Sequence, residues 1–166
     1  EPEQTLVDTD ILQVESVPSI ENLSCGFDIV VSACVMTQLF HAAKVSRISE
    51  ENQNRLIFAL RKQHIQFMLS ITKQNGTSIL ATDMSSFETD QDFSAVESCD
   101  VHEMMLELID KKVFFTGSNP FALMNEIREK HEIVSQLKDA IFLSPWLWQM
   151  FKHRVYLVYA LALLKK

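Results

Sequence analysis

Apolar positions recur along much of this chain with the three-to-four spacing of a helix face. The clearest case runs from Glu50 to about Gln74. There Arg55, Ala59, Lys62, Gln63, Gln66, Ser70 and Lys73 fall within about 100° of arc, and Ile57, Leu60, Phe67, Met68 and Ile71 lie opposite. Ser49 precedes this stretch as a cap, and Asn75-Gly76 follows it as a stop. From Phe27 to Val45 the apolar residues cover nearly the whole circumference, which predicts a central helix of a bundle. Asp100 and Glu103 open a third expected helix, to about Phe115, and Gly117 ends it. Asn119-Pro120 starts a fourth, to about Leu143.

Ser144-Pro145 begins a fifth expected helix, reaching Lys166. Its polar stripe, Gln149, Lys152, His153 and Tyr156, stops halfway. From Val155 to Leu164 no residue is more polar than tyrosine. A helix apolar on all sides must be covered by its own protein, by a partner or by lipid. That run of about ten residues is well short of the roughly 18 a membrane span needs, and no signal peptide is visible. Two stretches lack periodicity. Residues 1–24 read as an extended arm broken by Pro2 and Pro18, and Thr77 to Cys99 as a long loop rich in Ser, Thr and Asp. The pattern therefore predicts an all-α fold: a single domain over 25–166, a bundle of about five helices, with a long acidic loop between helices two and three.

Composition agrees with one globular domain: 166 residues, 47% hydrophobic and 22% charged. The 3 glycines and 4 prolines are few for a turn-rich β protein. Charge is segregated within the net −7. Residues 1–43 carry seven acids and 74–110 carry nine, neither with any Lys or Arg, whereas 44–73 hold six basic residues and 111–166 hold nine. Such blocks suggest acidic segments facing a basic helical surface, and the overall acidity argues against nucleic acid as a partner. Lys152, Arg154, Lys165 and Lys166 flank the apolar run, but a membrane surface is not the favoured partner either. Three cysteines without zinc-ligand spacing read as reduced thiols of an intracellular protein.

The chemistry looked for is largely missing from the pattern. The histidines show no paired spacing, and Leu106 stands where the second histidine of a zinc-protease helix would be. The scattered glycines form no phosphate loop, and no Gly-x-Ser-x-Gly appears. No catalytic residue, metal or cofactor is therefore expected. His64 is the one polar residue at the centre of an apolar helix face, with Arg61 on the same side. The pair reads as a buried polar group, either bonded within the core or anchoring an internal pocket.

Function then rests on surfaces. Trp146, Trp148, Phe151, Tyr156 and Tyr159 gather in the last expected helix, and such aromatics often form interaction hot spots. In the arm, Ile11, Leu12 and Val14 are flanked by Asp8, Asp10 and Glu15. That cluster resembles a SUMO-interacting motif, and the resemblance implies addition as a strand to a partner's sheet edge; the alternative, and the favoured one, is an arm that packs on its own domain through Ile11, Val14 and Ile20, or a disordered tail. The favoured reading is a non-enzymatic interaction module, an adaptor, scaffold or assembly subunit. It would take a partner peptide or helix in an apolar groove, with homodimerisation as one form of partnership. Two alternatives are a helical bundle binding a small molecule near His64, as a carrier or an enzyme, and a secreted signalling protein. Only the sequons at Asn22 and Asn75 favour the last.

Overall fold

The structure, a computed structural model, describes residues 26–45, 48–88, 98–150 and 153–166. The arm residues Ile11, Leu12 and Val14, and also Phe151, lie outside the described residues. In chain order the elements are β1 (Phe27–Ala33), α1 (Val35–Val45), α2 (Glu50–Ile71), β2 (Thr72–Glu88), α3 (Ser98–Asp110), α4 (Pro120–Glu129), the single turn α5 (His131–Val134), β3 (Leu137–Met150) and β4 (Arg154–Lys165). The strands form one mixed sheet in the order β1-β2-β4-β3. β1 runs parallel to β2, reached through α1 and α2, while β4 pairs antiparallel with both β2 and β3.

This is an α/β fold, and the expected all-α bundle of about five helices is overturned by the four-stranded sheet. The largest correction is the C-terminal run, which is a strand. β4 sits between β2 and β3 and is buried on both faces, so it has no polar stripe to show. Leu157, Tyr159, Leu161 and Leu163 face one way and Val158, Ala160 and Ala162 the other, all at most 8% exposed. Ser144-Pro145, expected to start a helix, instead forms the irregularity in β3 between Leu143 and Trp146. An edge strand can hold a proline at a bulge because no ladder donor is needed there. At the other edge, Ile29, Val30 and Val31 supply β-branched side chains to β1. Cys34 adopts φ 54 and turns the chain into α1. Half of the expected acidic loop is also strand, since Thr77 to Glu88 completes β2.

The local signals that survive are the caps of two helices. Ser49 caps α2 by accepting from Asn52 N, and the Asn119 side chain accepts from Phe121 N and Ala122 N at α4. The left-handed residue after α2 is Asn75 (φ 61), while Gly76 serves another need. A Cβ there would stand 2.9 Å from Asp28 O, so the glycine lets β1 lie close against β2. Gly117 has φ 82 and abuts the Phe40 ring, where a Cβ would come within 2.8 Å.

All the helices that contribute to the core lie on one side of the sheet. Met36 and Phe40 of α1, Ile57, Ile65, Met68 and Leu69 of α2, Val101 and Met105 of α3, and Leu123 and Ile127 of α4 pack on Leu80, Leu157, Tyr159, Leu161 and Leu163. At roughly 1.5–3 kcal/mol per fully buried large aliphatic side chain, this layer dominates the stability. Lys165 Nζ donates to Leu69 O and Thr72 O, 2.7 Å each, and ties the end of β4 to the α2–β2 junction.

Candidate functional site

Among the described residues no helix lies on the other side of the sheet. Cross-strand register places Ile29 and Val31 of β1, Ile79 and Ala81 of β2, Ala160 and Ala162 of β4, and Ile141 and Leu143 of β3 on that side. Beyond the bulge Trp146 pairs with Val158 and Trp148 with Tyr156, so both tryptophans stand on the same side. Ile29 and Val31 are 63% and 61% exposed, Trp146 and Trp148 39% and 41%. Together with Ile141, Leu143 and Met150 these seven leave on the order of 600 Å² uncovered, taking about 200 Å² for a large side chain. That is the upper end of the largest apolar patch a monomer ordinarily shows.

The relief of this face follows from side-chain size. Ala81, Ala160 and Ala162 make low ground over the two middle strands. Ile29 and Val31 rise on one edge, and Ile141, Leu143, Trp146 and Trp148 on the other. Three inter-strand steps of about 4.8 Å separate the edges by roughly 14 Å. An α-helix with its side chains is about 10–12 Å across, so one helix fits between them.

Under the helices lies a polar centre. Arg61 Nη1 donates to Glu126 Oε2 at 2.6 Å, with the two side chains 5% and 12% exposed. The guanidinium also stands 5.6 Å over the Phe40 ring and 5.1 Å over Phe58. This ion pair fastens α2 to α4. His64 Nε2 meets Ser32 Oγ at 2.7 Å, and burial holds the imidazole below its ordinary pKa of 6.5, so it is neutral near pH 7. Ser32 is buried and His64 half-buried, and neither residue lines either of the two cavities described below. Tyr159 is fully buried on the helix side, stacked at 5.9 Å on Phe142, with its hydroxyl unpartnered and its pKa raised by burial.

Two cavities open beside this centre. One, of about 540 Å³, is bordered by Phe58, Arg61 and Glu126. The other, of about 640 Å³, runs along α1 past Thr37, Gln38, His41 and Lys44. Phe40, Phe114 and Phe115 give it an apolar wall, and Asp83 lines it where β1 has ended. Thr37 Oγ1 donates to Asp83 Oδ1. The Cys34 thiol is pushed up to about 11 by burial and then by the Asp83 carboxylate, so it stays protonated at neutral pH and is a poor nucleophile.

The structure thus separates the residues that the sequence grouped. Trp146, Trp148 and Tyr156 share the helix-free face, Tyr159 is in the core, and Arg61 and His64 lie in the helical layer with different partners. Sequence reasoning missed Ile29, Val31, Ile141 and Leu143 as one face, although Trp146-Leu147-Trp148 already alternates with the period of a strand. It also missed Asp83, whose only sequence signal was an acid within the expected loop. Among the described residues no group of three or more His, Cys, Asp or Glu is placed to hold a metal ion, and no helix is long and apolar enough to cross a membrane. Comparison with known protein families, curated proteins and solved structures finds no match.

Proposed function

We propose that this chain is a protein-interaction module that docks an amphipathic helix of a partner protein on the helix-free face of its sheet. The observation that carries the reading is the apolar face itself, with Ile29, Val31, Trp146 and Trp148 all exposed on it. Burial of about 600 Å² of this face is worth roughly 15 kcal/mol in area terms, before the ordering and association costs that any complex meets. The two tryptophans are the side chains most suited to act as anchors, because large aromatics dominate interface hot spots. The partner helix would run between the two raised edges with small residues against Ala81, Ala160 and Ala162.

A photo-crosslinking amino acid placed at Ile141 or Trp148, with Leu106 on exposed α3 as the control position, tests this in the native host or its extract. The expected result is one protein partner crosslinked from Ile141 and Trp148 and not from Leu106. Trp148→Ser should abolish that capture while the circular dichroism spectrum is unchanged. Capture from Leu106 alone, or capture indifferent to Trp148→Ser, would place the docking surface elsewhere.

A further inference from the structure

The 640 Å³ groove beside α1 shares no lining residue with the apolar residues named on the sheet face and has its own chemistry. Asp83 is 9% exposed, so its carboxylate has given up most of its hydration. No lysine, arginine or histidine among the described residues lies within ion-pair distance of it. A carboxylate offers about four lone-pair directions. Thr37 takes one, and the Cys34 thiol lies against the same group. These contacts fasten Asp83 to the start of α1, and they leave it facing the cavity with acceptor capacity unused. Phe40, Phe114 and Phe115 line the same groove.

A buried negative charge without a counter-ion beside an aromatic wall is the environment that favours an organic cation over a hydrated metal ion. The carboxylate supplies the charge-assisted hydrogen bond and the rings supply cation–π attraction and apolar contact. We propose that this groove binds an ammonium ion carried on an apolar body, as in an aromatic amine or a lysine-type side chain, with the ammonium at Asp83 and the body along the phenylalanines. Lys44 and His41 also border the groove. Lys44 stands seven residues along α1 from Thr37, about 10 Å at 1.5 Å per residue. That is close to the screening length at physiological salt, so its repulsion of an ammonium at Asp83 is weak.

The test uses 2-phenylethylammonium and its neutral isostere 2-phenylethanol as probes, titrated into the full chain at pH 7 and followed by amide NMR. The ammonium should bind at least tenfold more tightly than the alcohol, with shifts concentrated at Thr37, Asp83 and Phe115. Asp83→Asn should remove that preference. Should Asp83→Asn fail to fold, Phe114→Leu serves instead and should weaken the ammonium while leaving the circular dichroism spectrum unchanged. Equal binding of the two probes, or no saturable shift by about 10 mM ammonium, where affinity would be below roughly 3 kcal/mol, overturns the proposal.

Discussion

The two faces of the sheet have nearly the same hydrophobicity and opposite fates. On the helix side Leu80, Leu157, Leu161 and Leu163 are at 0% exposure under four helices. On the other side Ile29 and Val31 remain more than 60% exposed, and the tryptophans about 40%. Apolar character alone therefore does not decide what is core, since the number of helices available to cover a sheet is limited by the connections between its strands. Every helix among the described residues falls in the β1–β2 or the β2–β3 connection. One face is consequently filled by helices and the other carries none of the described ones.

The contrast can be broken most forcefully in the helical layer. Glu126→Ala would strand the Arg61 guanidinium, 5% exposed, without its partner, and the expected loss is about 3–5 kcal/mol by denaturant unfolding. Leu161→Ala, at 0% exposure under the helices, should cost about 2–5 kcal/mol in the same assay. On the free face Val31→Thr, at 61% exposure, should change stability by no more than about 0.5 kcal/mol. If Val31→Thr proves as costly as Leu161→Ala, the free face is not free.

A smaller effect, confined to the helical layer, comes from His64. Its folded pKa lies below the unfolded 6.5 because burial disfavours the charged ring. Protonation therefore favours the unfolded chain. The His64 contribution is fully present above about pH 6.5 and is lost as pH falls from there toward the depressed folded value. Unfolding curves at pH 7.5, 6.5 and 5.5 should show this slope in the wild type and a shallower one in His64→Gln. Equal slopes would remove His64 as its source.

What could be read from the sequence, and what could not, follows from the same two faces. Glu50–Ile71 is a helix with one wet side, and its period is unambiguous; the capping by Ser49 and Asn119 is local chemistry that needs no tertiary context. β4 is the opposite case. Dry on both sides, Val155 to Leu164 carries no periodic signal, and a continuous apolar run is compatible with a buried helix or a central strand. The β-branched Val155 and Val158 and the two tyrosines were the available hint. β2 was hidden for another reason. Its Thr72 and Ser78 hydroxyls bond each other at 2.7 Å, and polar residues satisfied in this way leave a strand looking like a loop. The burial of Arg61 follows from the helix period, whereas the helix-free face could not be read that way, because it is assembled from strands distant in sequence. The groove at Asp83 had the same difficulty, since it joins α1, β2 and the segment near Phe115.

The central claim, that Trp146 and Trp148 stand exposed on the second face of the sheet in the isolated chain, has a direct optical reporter. Both tryptophans of the protein, Trp146 and Trp148, stand on that face and nowhere else. Their fluorescence in the purified full chain at sub-micromolar concentration should be red-shifted and readily quenched by acrylamide, in keeping with exposures of 39% and 41%. A blue-shifted emission that acrylamide barely reaches would contradict the account, because the face would then already be covered by the protein itself.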